Sequence, residues 1–264
     1  MHPMLNIAIR AARAAGTIIT RSVEQVDTLT ITSKARNQFV SEVDERAEGE
    51  IIAVIHKAYP DHGILAEESG TQGNDEYQWI IDPLDGTTNF LYGVPHFAIS
   101  IALRHRGRLE HGVVYDPIRN ELFTASRGAG AQLNSRRIRV TTRRGLDEAL
   151  LGTGMPYSDM VHLDAYLGML KALIPPTAGI RRPGSASLDL AYVAAGRYDG
   201  FWEIGLNPWD IAAGVLLIQE AGGLVSDLAG NPRHMETGHI VAAGPKVFKA
   251  MLQTLKPHLT DALR

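Results

Sequence analysis

Trp79-Ile80-Ile81-Asp82-Pro83-Leu84-Asp85-Gly86-Thr87-Thr88-Asn89-Phe90 is the stretch on which the reading of this chain turns. The apolar run predicts a strand over Trp79–Asp82 that delivers Asp82 at its carboxyl end. Pro83 stops that strand, because proline fixes φ and removes an N–H. Asp85 follows within reach of the same point. Gly86-Thr87-Thr88 then offers small residues with free N–H groups, the start of a short helix or a turn that can receive an anion. Two carboxylates beside an anion-accepting loop repel what the loop would bind unless a cation stands between them. A hard divalent metal resolves the conflict, with carboxylates on one side and phosphate oxygens on the other. An isolated Asp-x-x-Asp also suits a capped turn with no metal; the strand–Pro–Gly context favours the metal.

Two further places supply carboxylates. Glu67-Glu68 ends a short apolar strand, Gly63–Ala66, and alone reads as a solvated acidic pair. Asp210 opens an apolar helix, Ile211–Ala221, and alone reads as an ordinary helix cap. Together they put acids at strand ends and helix starts, where open α/β sheets hold their ligands.

Outward from this centre, Ile9, Ala12, Ala15 (or Gly16) and Ile19 recur at helical spacing. Thr28–Thr32 alternates as a strand. Val43, Ala47, Ile51, Val54, Ile55 and Ala58 make one helix face, ended by Pro60, and Glu67–Asp75 reads as a polar loop. Phe97 to Val140 holds short strands between turn signals, an antiparallel meander. Beyond it, strands Leu150–Thr153, Ile180–Arg182 and Phe201–Glu203 alternate with helices His162–Leu173, Ser185–Ala195 and Trp209–Ala221, followed by Val225-Ser226, Ile240–Ala242 and a helix from Pro245. This order predicts helices layered on two sheets, α+β at first and α/β later. We expect one catalytic unit over 1–264, with a lobe at 1–145 carrying the carboxylate motif and antiparallel sheet, and a βαβα lobe at 146–264 supplying Asp210.

The 264 residues carry a formal charge of −3, with 45% hydrophobic and 21% charged residues, an ordinary globular balance and a poor one for coating nucleic acid or anionic membrane. The chain has no cysteine, which excludes disulfides, zinc–thiolate sites and thiol catalysis together. Arg10, Arg13 and Arg21 interrupt the first apolar stretch, so it lacks the unbroken apolar region expected of a signal peptide. The best apolar run, Ile211–Ile218, is too short for a membrane span. The expectation is a cytoplasmic protein. Walker, H-E-x-x-H and dinucleotide fingerprints are missing, so kinase and dehydrogenase readings have no support.

Asp82-Pro83-Leu84-Asp85-Gly86-Thr87-Thr88-Asn89-Phe90 resembles the first signature of the inositol monophosphatase family. Trp209-Asp210-Ile211-Ala212-Ala213-Gly214, continuing to Glu220-Ala221-Gly222-Gly223, resembles its second, and Ala66-Glu67-Glu68-Ser69 its G-E-E-S metal segment. Met1 to Ala8 and Gly184 to Arg197 are more narrowly similar to the bacterial SuhB-type members. The resemblance implies an αβαβα layered sandwich, Mg²⁺ dependence with two or three ions per site, inhibition by Li⁺ and a homodimer. It implies that Glu67, Asp82, the Leu84 carbonyl, Asp85 and Asp210 hold the metals, and that Asp44 and Thr87 orient and activate the attacking water. It gives Gly86, Thr87 and Thr88 the phosphate, and Gly184, Ser185, Ala186, Glu203 and Asp210 the alcohol side. By spacing alone, Ser41-x-x-Asp44 is a capping box. Departures from the family pattern are Ala66, Pro183, Ser187 where alanine is common, and Asn207-Pro208.

The activity so implied is hydrolysis of a small phosphate monoester, inositol 1-phosphate to inositol and phosphate. A 3′-phosphoadenosine 5′-phosphate or fructose 1,6-bisphosphate phosphatase shares the metal motif, and Arg181 and Arg182 could serve a second phosphate. The resemblance also implies a role in ribosomal RNA transcription antitermination with RNA polymerase. Arg104-His105-Arg106-Gly107-Arg108, Arg136-Arg137-Ile138-Arg139 and Arg143-Arg144 could meet such a partner, or could be solvated hairpin ends. His96, close after the signature, reads as structural.

Overall fold

The computed structural model describes residues 2–23, 31–35, 38–74, 76–157 and 160–264. Helix α1 (Pro3–Ser22) starts with proline in its first turn and buries Leu5, Ala8, Ile9, Ala12, Ala15, Gly16 and Ile19, the predicted stripe. β1 (Ile31–Ala35) and β2 (Gln38–Ser41) pair antiparallel. Of the strand expected at Thr28–Thr32, residues 28–30 lie outside the described residues. α2 (Glu42–Ala58) is capped by Ser41 and ends before Pro60.

An eight-stranded sheet follows, in the order β10-β9-β8-β7-β6-β5-β3-β4. Its members are β3 (Gly63–Ala66), β4 (Gly70–Gln72), β5 (Tyr77–Asp85), β6 (Ala98–His105), β7 (Arg108–Asp116), β8 (Glu121–Ser126), β9 (Gly130–Leu133) and β10 (Arg136–Arg137). The short helix α3 (Thr87–Leu91) sits between β5 and β6. The expected meander is β6 to β10, antiparallel throughout, whereas β3 runs parallel to β5. Two expectations need correcting. The stretch read as the loop Glu67–Asp75 contains β4, three residues paired antiparallel with β3 at the sheet edge, too short for periodicity to reveal; Asp75 lies outside the described residues. And β5 does not stop at Pro83.

The second sheet has five strands in the order β12-β11-β13-β15-β14. They are β11 (Leu150–Thr153), β12 (Gly179–Arg181), β13 (Gly200–Glu203), β14 (Leu224–Ser226) and β15 (Ile240–Ala243). Helices α4 (Leu163–Leu173), α5 (Ala186–Ala194), α6 (Pro208–Glu220), α7 (His234–Thr237) and α8 (Pro245–Leu255) connect and follow them.

Three apolar clusters explain the stacking. On one face of β5 to β7, Trp79, Ile81, Leu84, Ile99 and Ile101 meet Ile9, Ala12, Ile51 and Ile55 of α1 and α2. On the other face, Ile80, Ala102 and Val114 meet Leu190, Ile211 and Leu216 of α5 and α6, which also touch Phe201, Ile240 and Ala242 of the second sheet. The outer face of that sheet, with Trp202, Val241 and Ala243, meets Met169 of α4 and Met251 of α8. The result is helix, sheet, helix, sheet, helix. A helix between two sheets must be apolar all round, and α6 buries every residue from Ile211 to Ile218. That accounts for the strongest apolar run in the chain. Among the described residues no helix is long and apolar enough to cross a membrane.

Candidate active site

The signature stretch owes its geometry to a bulge. Asp82 pairs with Ser100 of β6, but the next pair joins Asp85 to Ala98, so β5 carries one extra residue. A strand turns successive side chains to opposite faces, so residues three apart face away from each other. The extra residue reverses this and brings both carboxylates to the α5–α6 side. Pro83 is tolerated because a bulge leaves a residue unpaired. Proline therefore bends this strand rather than ending it. The Leu84 N–H donates to Asp82 Oδ1 at 3.0 Å and holds the bend. Gly86, at φ +95, opens α3. A side chain there would crowd the carbonyls of His96 and Gly184, at 3.0 and 3.2 Å.

Asp44 completes the capping box of α2 and is also a site residue. Its Oδ2 accepts from the Ser41 N–H at 2.9 Å and the Ser41 hydroxyl at 2.6 Å, completing the capping box of α2. Its Oδ1 accepts from the Thr87 hydroxyl at 2.9 Å. Burial pushes Asp44 above its ordinary range, against the hydrogen bonds from Ser41 and Thr87 that favour the charged form. Thr87 Oγ1 also lies 3.0 Å from the Leu84 carbonyl, so Asp44, Thr87 and the bulge are one unit.

Asp85 is held from the other half of the chain. Its Oδ2 accepts from the Ser185 hydroxyl at 2.6 Å, the Ser187 N–H at 2.7 Å and the Ser187 hydroxyl at 2.5 Å, all at the start of α5. Asn89 strengthens the join by donating to the carbonyls of His96 (2.7 Å) and Pro183 (2.9 Å). Glu67 follows β3 directly. The loop it belongs to is fixed by buried Glu48 of α2, which accepts the N–H groups of Glu68 (2.9 Å) and Ser69 (2.8 Å). Asp210 lies in the first turn of α6, whose N-cap is Asn207, so the helix begins earlier than the sequence suggested. Asp210 is thus the third helical residue and not the cap; its Oδ2 accepts the Asn207 N–H at 2.6 Å.

These carboxylates load one another. Burial raises Asp82 well above the usual carboxylate range, and Glu67, then Asp85 and Asp210, push it further. Burial also raises Asp210, followed by the charge of Asp85 and then Glu67, although a hydrogen bond with Asp82 opposes the shift. Asp85 is raised by burial against its bonds to α5. The charge of Glu67 bears most on Asp82 and that of Asp85 most on Asp210, and Asp85 and Asp210 line one cleft. Among the described residues no three His, Cys, Asp or Glu side chains stand in a ready-made ligand cluster. Carboxylate and carbonyl oxygens alone, with uncompensated negative charge, fit a hard dication such as Mg²⁺.

Beside them opens a cleft of about 150 Å³ lined by Asp85, Gly184, Ser185, Ala186, Glu203 and Asp210, with Thr153, Gly154, Arg182, Asp189 and Leu206. Gly154 leaves room for Glu203, since a Cβ there would fall 1.8 Å from Glu203 Oε1. Burial, then Asp210, raise Glu203 to about 8. The Arg182 guanidinium lies over the Tyr157 ring at 5.0 Å on the rim. Deeper, Asp189 Oδ1 and His96 Nε2 lie 4.0 Å apart, each buried without a hydrogen-bond partner. A larger hollow of about 710 Å³ lies by His2 and His111, away from all of these acids.

The structure therefore brings Asp44, Asp82, Leu84, Asp85, Gly86, Thr87, Gly184, Ser185, Ala186, Glu203 and Asp210 into one region, with Glu67 close enough to raise Asp82 and Thr88 exposed on α3. Arg181 is exposed and turned to the Ile180 carbonyl, so only Arg182 of the pair reaches the cleft. Sequence reasoning missed Glu48, Gly154, Asp189 and the contact of Ser187 with Asp85. Only Glu48, one helical turn beyond Asp44, carried a signal. The basic runs are partly neutralised: Arg106 pairs with Glu76 at 2.7 Å and Arg143 with Asp199 at 3.1 Å.

A family model described as the inositol monophosphatase family matches residues 1–259. A Pseudomonas aeruginosa protein named Nus factor SuhB is 59% identical, with all of both chains covered. The crystal structure of extragenic suppressor protein suhB from Bartonella henselae superposes with a TM-score of 0.95 at 43% identity, covering 98% of this chain and 100% of that one. Thermotoga maritima IMPase follows at 0.89 and 34%, covering 97% and 98%. With the bulged Asp82–Asp85 signature, the Asp44–Thr87 pair and Asp210 of α6 in one layered fold, this chain belongs to the inositol monophosphatase family.

Proposed function

We propose that the chain is a Mg²⁺-dependent phosphomonoesterase that hydrolyses inositol 1-phosphate. The observation that carries the reading is the convergence of Asp82, Asp85 and Asp210, from opposite halves of the chain, beside a threonine hydroxyl already bonded to a buried carboxylate. Family membership supports it. Glu67, Asp82, the Leu84 carbonyl, Asp85 and Asp210 would hold two or three ions. When bound, Mg²⁺ supplies a Lewis acid for the phosphoryl oxygens and lowers the pKa of the attacking water.

The chain's own residues do the rest. Thr87 donates its one hydroxyl proton to Asp44, which leaves an oxygen lone pair to accept from the water and aim it. Asp44 draws the proton along this pair while Ser41 keeps its second oxygen fixed. Gly86, Thr87 and Thr88 receive the phosphate through N–H and hydroxyl donors. Glu203, with Gly184, Ser185 and Ala186, faces the alcohol, where a raised carboxyl can donate or accept towards a hydroxyl. Li⁺ would inhibit by competing for a Mg²⁺ position.

Phosphate release from inositol 1-phosphate, 3′-phosphoadenosine 5′-phosphate and fructose 1,6-bisphosphate, with and without Mg²⁺, tests this. The expected result is Mg²⁺-dependent turnover, fastest on inositol 1-phosphate. Faster release from a bisphosphate would transfer the function to that class, with Arg182 serving the second phosphate. No release from any of the three overturns the proposal.

A second reading is supported by the name of the Pseudomonas relative. The chain would also act, as a homodimer, in ribosomal RNA antitermination with RNA polymerase, inside the cytoplasm. Co-purification with transcription elongation factors at two salt concentrations tests it, and retention of wild-type binding by Asp82→Asn would show that the two activities separate.

A further inference from the structure

Ser187 belongs to none of the residue sets assigned above. Its side chain is fully buried and its hydroxyl reaches a carboxylate a hundred residues away in sequence. We propose that the Ser187 hydroxyl is a positioning residue that sets the cation affinity of the Asp85–Asp210 side of the site. The proposal rests on the Mg²⁺ reading above.

A carboxylate oxygen has about two lone-pair directions. Asp85 Oδ2 takes three donors, the Ser185 hydroxyl and both the N–H and hydroxyl of Ser187. That oxygen is saturated, so Asp85 can meet a cation only through Oδ1, as a one-oxygen ligand. The same donors fix the carboxylate plane against α5, so Oδ1 is aimed before any ion arrives. Donors on Oδ2 also favour the ionised form that a cation needs. Without the Ser187 hydroxyl, two of the three donors to Oδ2 remain, and the carboxylate, whose further partner is the Ala186 N–H, is held less firmly about its Cβ–Cγ bond. Partners that orient a ligating group typically contribute 10- to 100-fold in metal affinity. With two donors left, the lower end of that range applies. The Ser187 hydroxyl is given to Asp85, so the Glu67–Asp82 side of the site should not respond.

The test is Mn²⁺ binding to the full-length chain, followed by electron paramagnetic resonance and by calorimetric competition with Mg²⁺, for wild type, Ser187→Ala and Ser187→Thr. Ser187→Ala should weaken one class of cation site about tenfold and leave the other unchanged, and Ser187→Thr, which keeps the hydroxyl, should bind as wild type. Unchanged affinity at both classes in Ser187→Ala overturns the proposal. So does equal weakening at both, which would mark a general loosening of α5. A wild-type chain that binds no Mn²⁺ overturns the metal reading itself.

Discussion

Two helix starts in this molecule follow the same local grammar and end in different chemistry. α2 begins after Ser41 and has Asp44 as its third residue; α6 begins after Asn207 and has Asp210 as its third. In each, one aspartate oxygen turns back to the N-cap backbone N–H, at 2.9 Å in α2 and 2.6 Å in α6. The other oxygen is free to work. Asp44 offers it to a neutral hydroxyl, Thr87, whereas Asp210 turns towards Asp85, Asp82 and Glu67. Capping thus orients both acids, and on the proposed function the neighbour of the second oxygen would decide whether the acid handles a proton or a cation.

The comparison breaks hardest at the cation end. Asp210→Asn keeps an oxygen for the Asn207 N–H but removes the charge facing Asp85. Turnover on a phosphate monoester at ordinary Mg²⁺ should fall at least about 10³-fold, the upper scale of one lost electrostatic partner, with the far-ultraviolet dichroism unchanged. Activity within tenfold of wild type would show that Asp210 serves only the capping box of α6. Asp44→Asn should cost about 10²-fold, the lower range for a positioned acid–base group. Its Mg²⁺ affinity should stay near wild type, and a lost affinity would move Asp44 into the ligand set.

The contrast also sets a pH dependence. Asp82, Asp85 and Asp210 are raised by burial, and Glu203 is raised from its ordinary 4.5 to about 8. A raised carboxylate contributes stability that is full below its unfolded pKa and fades as pH climbs through the folded one. His96 and His111 go the other way, lowered by burial from 6.5 to about 4, so their contribution is lost as pH falls through that value. Between about 6.5 and 8 the carboxylates act without that opposition. Without metal, the melting temperature should therefore fall as pH rises from 6.5 to 8, as differential scanning calorimetry would record. Saturating Mg²⁺ should flatten or reverse the slope, because the ion binds the ionised acids. A slope indifferent to Mg²⁺ would detach these carboxylates from any cation.

What the sequence could and could not reveal follows the same division. The layered order and most of the helices and strands were legible because burial writes period-2 and period-3.6 patterns. Ile211–Ile218 stood out because α6 lies between two sheets. The turn of Asp82 and Asp85 to one face was not legible. Strand alternation predicts opposite faces, and only pairing with β6 reveals the extra residue. β4 was invisible because three edge residues hold no period. Asp44 could be read from spacing only as a cap, since its Thr87 bond spans 43 residues. Asp189, Gly154 and Ser187 become site residues only when β11, β13 and α5 close around the cleft.

The smallest expected effect separates capping from positioning within α2. Ser41→Ala removes the hydroxyl that donates to Asp44 Oδ2 at 2.6 Å and accepts the Val43 N–H at 3.2 Å. The Ser41 N–H still holds Asp44 at 2.9 Å, and Thr87 still holds the other oxygen. The lost cap costs about 1 kcal/mol, a fall of roughly 2–4 °C in melting temperature for a chain of this size. Turnover should drop less than tenfold, because two of the three bonds that aim Asp44 survive. A drop as deep as that of Asp44→Asn would mean that the hydroxyl, and not the backbone, aims the carboxylate. The two helix starts would then differ further, since Asp210 is held by a backbone N–H at its N-cap.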